Sequence, residues 1–365
     1  MKICLASLTA SHYRHLIYHL LDKELDLNFV FGQGNTTVKQ MDFSQLKNVK
    51  TVSLCPIGKS KIYRMPGACK QMLKSDIIID DTGILCITSW IILFLSKLLS
   101  KKVFLWTHGW YGREGKVKSI IKRIYSALAS GTMVYGEYAR KLMIENGFNA
   151  DKIAVIHNSL DYDTQIEIRN SKLQSNIYKE HFRNNYPNLI FIGRLTPTKQ
   201  LHMILEAMVL LKNKSEFFNL VFVGDGEEEA RLRKITEKNG LKDNVWFYGA
   251  SYGEETNAIL LYNADLCVAP GNIGLTAMHA LMFGCPCLSH NDFPNQMPEF
   301  EAIIPDKTGL FFTRNDTLSL ANEISTWFRK HGDDRDLIRQ NCYNEIESNW
   351  NPYRQLKIIS NFILK

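Results

Sequence analysis

No apolar run in this chain is long enough to cross a bilayer. The strongest, Ser89 to Leu99 (SWIILFLSKLL), covers about half a span and contains Lys97, so a buried helix is expected there. The opening MKICLASL has one lysine and a short apolar stretch before Thr9, Ser11 and His12, which fits a first β-strand better than a signal peptide. Eight cysteines are scattered, and the one close pair, Cys285 and Cys287, has no second pair or histidine couple beside it. Zinc is therefore not expected, and reduced core thiols in a cytoplasmic protein are. No G-x-G-x-x-G follows the first strand, which argues against a dinucleotide-dependent dehydrogenase. Internal repeats, low-complexity tracts and heptads are also missing, which removes solenoids and coiled coils.

What remains is an ordinary globular composition, 45% hydrophobic and 22% charged over 365 residues, a length that suits two domains. The net charge of +7 is uneven. Through Asp163 there are 22 Lys and Arg against 13 Asp and Glu, a balance of +9; the remainder holds 22 against 24. A basic first half suggests an anionic partner. Strand-like runs alternate with helical ones from Lys2–Leu8 to Ile153–Ile156, and the alternation restarts after Tyr186–Pro187 with Leu189–Ile192. The expected fold is α/β, two doubly wound Rossmann-like domains whose parallel sheets face each other across a cleft. Their bounds are placed at 1–163 and 164–349, with 350–365 packing back on the first domain. The polar stretch Thr164–Tyr186 reads as the connection between them.

Three segments of the second half carry chemistry. In NLIFIGRLTPTK an apolar strand delivers Gly193 and Arg194 to the carboxyl edge of a sheet, with Lys199 close behind. Two fixed cations at such an edge suit a polyoxygen anion such as a nucleotide diphosphate; a solvated loop is the bland alternative. VFVGDG sets Gly224 and Asp225 after a second strand, where glycine lets a backbone approach a ligand or merely caps the junction. In APGNIGLTAMHALMFGCP a turn through Asn272 and Gly274 opens a helix. The free N–H groups of Gly274, Leu275 and Thr276 would form an anion site.

In order, G-R-L-T-P-T-K, G-D-G, V-x-F-x-G (Val245 to Gly249), A-D-x-x-V-x-P (Ala264 to Pro270) and G-L-x-x-x-x-A-L-x-x-G-x-P resemble the nucleotide-binding domain of GT-B glycosyltransferases of family four. The resemblance is firm over residues 188–328 and looser before them; its last motif, followed by NQMPEFEAI, is most similar to bacterial surface-polysaccharide enzymes. It implies a sugar transferase using a nucleotide-diphosphate donor of the uridine class, with a glycan or lipid-linked acceptor, retention of configuration, and neither metal nor other cofactor. Arg194 and Lys199 would stabilise the leaving diphosphate, and Tyr248, Gly249 and Ala250 would pass beside the base. The family places two glutamates eight residues apart where this chain has Gly271 and His279. His279 could bond a ribose hydroxyl or pack structurally, and Glu299 and Glu301 are the nearest acids for the sugar. A non-catalytic nucleotide-sugar-binding subunit and an epimerase or hydrolase remain the alternatives.

In the first half, FLWTHG ends a buried strand at His108, expected to meet donor-sugar hydroxyls as a catalytic residue, with a satisfied structural histidine as the alternative. SLTASHYR forms the first strand–helix loop, with His12 and Arg14 expected to touch the acceptor. Lys116–Arg123 (KVKSIIKR) sets four cations beside Ile120, Ile121 and Ile124, which suits either a helix resting on an anionic membrane or an ordinary solvated face. The expected location is cytoplasmic, peripheral on the inner face of the membrane, with no nucleic-acid partner.

Overall fold

The computed structural model describes residues 1–34 and 39–365. The chain divides into two units, Met1–Tyr162 with Asn351–Lys365, and Asp163–Trp350.

The first unit is built on seven strands: β1 Ile3–Ser7, β2 Leu27–Gln33, β3 Asn48–Ser53, β4 Ile77–Asp81, β5 Lys102–Thr107, β6 Gly131–Val134 and β7 Ile153–Val155. They are all parallel, in the order β3-β2-β1-β4-β5-β6-β7. Period-two alternation divides the core between the faces. Ile3 and Leu5 join Tyr18, Phe29, Phe31 and Trp106 on one side, while Cys4 and Ala6 join Ile78, Ile92 and Leu105 on the other. Helix Pro352–Ile363 closes the first of these cores through Ile359 and Ile363, packed against helix His15–Leu25.

The second unit repeats the plan with β8 Asn188–Ile192, β9 Asn219–Val223, β10 Val245–Gly249, β11 Leu266–Ala269, β12 Cys287–His290 and β13 Gly309–Phe312, ordered β10-β9-β8-β11-β12-β13. The strands are near-continuous Val, Leu, Ile and Phe because helices cover both faces. In each sheet the order reverses beside its first strand, between β1 and β4 and between β8 and β11. Those switch points open crevices at the carboxyl ends, where doubly wound sheets take ligands.

Three sequence expectations are revised. Thr164–Tyr186 is not a loose connection: it folds as helices Tyr162–Arg169 and Ile177–Phe182, anchored on the second unit by buried Leu173, Tyr178 and Phe182, with the Tyr178 hydroxyl donating to the Leu260 carbonyl at 2.7 Å. Helix Ile87–Leu98 buries Ile92 and Leu93 but presents Ile91, Phe94 and Leu98 to solvent. Lys122, counted among four outward cations, turns inward. Its ammonium pairs with Glu114 at 2.6 Å and donates to the Gly109 carbonyl at 2.6 Å. Among the described residues no helix is long and apolar enough to span a membrane.

Candidate functional site

At the switch point of the second unit the buried strand β8 ends at Ile192, and the chain turns out through Gly193 and exposed Arg194 before a single helical turn, Pro197–Lys199. That turn is fastened across the crevice to the loop after β11. The Gly271 N–H donates to the Lys199 carbonyl at 2.9 Å, and the Lys199 ammonium donates to the Asn272 carbonyl at 2.6 Å and to its side-chain oxygen at 2.9 Å. Burial, then the nearby charge of Arg194, bring the Lys199 pKa down to about 8, against an upward pull from Glu299. Lys199 therefore feels the charge of Arg194, the cation with which the sequence pairs it.

The loop Pro270–Gly274 then opens helix Leu275–Met282. Gly274 caps it at φ 55°, ψ −145°, a conformation open to glycine alone, and no side chain caps the first turn. Orphan amides at a helix start are donors suited to an anion. Thr276 ties the helix back to β8 by donating its hydroxyl to the Ile192 carbonyl at 3.0 Å. The loop's shape comes from buried polar groups absent from the sequence reading. The Gln296 side-chain oxygen accepts from Ile273 N–H at 3.0 Å, and its amide donates to the Ser289 hydroxyl at 2.8 Å. Ser289 in turn donates to the Ala269 carbonyl at 2.9 Å. Nothing local in the sequence marks Gln296, because its partners lie on two other segments, the loop at Ile273 and strand β12.

Gly271 stands where the resemblance would place the first glutamate. A Cβ there would stand 2.2 Å from the Thr198 carbonyl oxygen and 2.7 Å from the Lys199 Cα. The loop bearing Lys199 fills that space, so no carboxylate side chain fits. Glu299 is buried on the short helix Pro298–Ala302, with Glu301 half-buried on the same turn.

Gly224 of the G-D-G segment is packed against neighbouring backbone. Gly224 donates its N–H to the Gly249 carbonyl at 2.8 Å, and a Cβ on it would fall 2.0 Å from the Gly193 carbonyl oxygen. Close packing of backbone on backbone therefore explains the glycine, and it laces the β8, β9 and β10 ends together. The Asp225 carbonyl accepts from Leu195 N–H at 2.7 Å, and its side chain is exposed. Tyr248 is half-buried against Trp246, with ring centroids 5.1 Å apart, and Ala250 is exposed beyond Gly249.

His279, at the second glutamate's position, is not alone. Gln165 Nε2 lies 2.5 Å from Glu254 Oε1 and 3.1 Å from His279 Nδ1, and Glu254 Oε1 lies 3.4 Å from the same ring nitrogen. Burial pushes the Glu254 carboxyl up, but the hydrogen bonds from His279 and Gln165 outweigh it and hold the group below its ordinary range. A carboxylate thus stands beside position 279 although it comes from helix Glu254–Asn263. Sequence reading missed it because the helix formed by the expected linker supplies the bridging amide.

In the first unit the switch point is occupied by Arg14. Its guanidinium meets Asp81 at 2.5 Å, donates to the hydroxyls of Tyr18 and Tyr135, and lies over the Trp106 ring. Burial works against its charge, but Asp81 keeps it protonated. Arg14 is therefore committed to the sheet's interior, and of the two expected acceptor contacts only His12 is exposed. His108 stands at the end of β5 against the Tyr135 ring, 4.9 Å between centroids. Burial, then Arg14 and Lys122, lower its pKa to about 4, so its imidazole is neutral at physiological pH. Among the described residues no group of three or more His, Cys, Asp or Glu is arranged to hold a metal ion.

Residues 174–344 match the family model described as glycosyl transferases group 1. A protein named as the colanic acid biosynthesis glycosyltransferase WcaL of Escherichia coli (strain K12) is 28% identical over 174 residues, 45% of this chain and 41% of its own. A 41.2 kDa protein of the cps region of Klebsiella pneumoniae is 25% identical over 54% of this chain and 56% of its own. The chain spans about half the length of the curated relatives it matches. Among solved structures, Anabaena HepE in complex with UDP superimposes at a TM-score of 0.74 with 17% identity over 99% of both chains. The lipopolysaccharide outer core galactosyltransferase WaaB gives 0.72 with 15% identity over 100% of this chain and 99% of its own. The fold is GT-B, and most of the second unit matches the group 1 glycosyl transferase model.

Proposed function

We propose that this chain, most of whose second unit matches the group 1 glycosyl transferase model, transfers a sugar from a nucleotide-diphosphate donor to a glycan or lipid-linked acceptor in bacterial surface-polysaccharide synthesis. The carrying observation is the crevice at the end of β8. There the Lys199 ammonium, pinned by Asn272 ahead of an uncapped helix start, feels the charge of Arg194. Cations and amides fixed in advance are worth most where charge develops, and a departing diphosphate is such a place. The UDP held by HepE supports a uridine nucleotide, and the names of WcaL and WaaB support a surface-glycan acceptor.

Reaction with retention fits a front-face route in which the leaving diphosphate takes the acceptor proton. The donor-side crevice offers no carboxylate at Gly271 to act as a nucleophile. The route asks for leaving-group stabilisation and alignment, which Arg194, Lys199 and the Gly274–Thr276 amides supply without a metal. Neutral His108 would donate to or accept from a sugar hydroxyl. Helix Lys116–Leu128 would rest on the inner face of an anionic membrane.

The test is a screen of nucleotide sugars by thermal shift, followed by transfer assays on lipid-linked and free glycan acceptors. Transfer that needs both donor and acceptor is expected. Rapid turnover of donor alone would instead mark a hydrolase or epimerase, and tight binding without turnover a binding subunit.

A further inference from the structure

Two neighbouring helices of the first unit wear their apolar faces outward. On helix Ile87–Leu98 the exposed positions Ile87, Ile91, Phe94 and Leu98 follow one another at spacings of four, three and four, a continuous stripe. On helix Lys116–Leu128 the stripe is Val117, Ile120, Ile121 and Ile124, and only Tyr125 is fully buried. The two helices pack together through Trp90 and Tyr125, whose rings are 5.0 Å apart, so both stripes belong to one helical layer. Val117 is 71% exposed and Leu98 67%, values far from those of a helix covering its own core. Contiguous apolar surface of this kind marks an interaction site.

At the end of the first stripe lies a groove of about 460 Å³ along the amino edge of the sheet. Lys97, Lys101, Lys102, Lys152 and Lys365 line it, with Asp151 as the acid among them. Its floor is apolar, formed by Leu93, Leu128 and Phe362. Lys101 already donates to the Ser75 carbonyl at 2.8 Å, and Lys97, Lys102, Lys152 and Lys365 are exposed. Clustered cations over an apolar floor, continuous with an outward apolar stripe, match an anionic head joined to an aliphatic tail.

We infer that this groove binds the phosphate headgroup of an anionic phospholipid while the Ile87–Leu98 stripe enters the acyl boundary beside it. The inference rests on the membrane reading of helix Lys116–Leu128 and adds a second helix and a headgroup site to it. An interfacial helix holds by apolar burial plus attraction to anionic lipid, and this surface offers both. Lys116, Lys118 and Arg123 are exposed on the helix that bears the second stripe. A protein partner would need its own acidic, apolar complement, whereas a bilayer supplies both features at once.

Co-sedimentation with phosphatidylglycerol-containing vesicles, against pure phosphatidylcholine, tests the assignment with the full chain. Three forms are compared: wild type, the reversal Lys116→Glu/Lys118→Glu/Arg123→Glu, and the groove variant Lys97→Glu/Lys102→Glu/Lys152→Glu. Wild type should bind the anionic vesicles selectively, and the groove variant should lose about tenfold or more in partitioning at unchanged melting temperature. Phe94→Ser and Leu98→Ser, both at exposed positions, should each weaken binding without touching the charge. If the groove and stripe variants partition like wild type while the helix reversal releases the protein, this inference is overturned and the membrane reading stands. If wild type ignores anionic vesicles, both fall. A short-chain phosphatidylglycerol should raise the melting temperature of wild type and not of the groove variant. An equal rise with inorganic phosphate would assign the groove to free phosphate and overturn the lipid.

Discussion

Lys199 donates twice to Asn272, to its carbonyl at 2.6 Å and to its side-chain oxygen at 2.9 Å. A flexible ammonium is thereby held at one point of the crevice, and burial with Arg194 lowers its pKa to about 8. Folding and binding then respond to pH in opposite directions. Between about 8 and the ordinary lysine value the unfolded chain keeps a proton that the folded chain has lost, so this group's contribution to stability rises with pH there. An anion needs the cation, so uridine diphosphate affinity should fall as pH climbs through about 8, with proton uptake on binding above it. Lys199→Arg should flatten the profile. Calorimetry in buffers of different ionisation enthalpy measures both, and a flat wild-type profile from pH about 7 to about 9.5 would remove Lys199 from the phosphate site.

Arg194 is exposed and its side chain is free of core packing, so Arg194→Ala should leave the melting temperature unchanged. Turnover should drop by about 10²-fold or more, the cost of one preorganised contact to developing charge. Lys199→Ala should cost at least as much and also loosen the Asn272 loop. Near-wild-type kcat in both variants would sink the leaving-group assignment.

Gly271 is where backbone meets backbone, with the Thr198 carbonyl oxygen 2.2 Å from any added Cβ. Gly271→Ala should destabilise the chain by ~1–3 kcal/mol, the usual penalty for overpacking, and weaken nucleotide binding by displacing Lys199. Gly271→Glu should do more harm, not restore a family feature. Urea unfolding decides it. A Gly271→Glu protein of native stability and higher activity would show that the loop yields readily.

His108 has a folded pKa of about 4, below its unfolded value. As pH falls, the unfolded chain takes up this proton first, so stability drains away between about 6.5 and 4. His157 and His290, also lowered to about 4, act in the same sense. His108→Asn should therefore shallow the acid slope of the melting temperature and reduce transfer more than nucleotide binding. Equal loss of binding and transfer, with a lower melting temperature at neutral pH, would make His108 a structural residue.

The parts of this molecule written locally were legible in the chain. Strand β8 ending just before Gly193, the helix opened by Gly274 and the restart of alternation near residue 187 each follow from neighbouring residues. Relationships that join distant segments were not. Gln296 shapes a turn 23 residues away, and Gln165 carries Glu254 to His279 from a stretch too polar to announce two helices. Arg14 looks like a loop cation in sequence, and only the folded sheet brings it to Asp81 and Tyr135. Apolar residues also read as core by default, so the outward stripe of helix Ile87–Leu98 could be recognised only once its buried face was known.

The Glu254–His279 pair yields the sharpest test of donor recognition. With His279 in the place of a family glutamate, the carboxylate is offset onto Glu254, 3.4 Å from the ring, and Gln165 fixes both. Such a couple suits a vicinal diol, because the carboxylate accepts from one hydroxyl and the imidazole serves the other. His279→Ala and Glu254→Gln should each weaken uridine diphosphate binding by ~1–2 kcal/mol, the value of a hydrogen bond to a partly charged pair. Each should also reduce discrimination against the 2′-deoxy and 3′-deoxy nucleotides, since the lost partner no longer distinguishes them. The double variant should cost less than the sum, as expected for groups that act together. Unchanged deoxy discrimination in both single variants would make the pair a brace between helices, and ribose recognition would have to be sought elsewhere in the crevice.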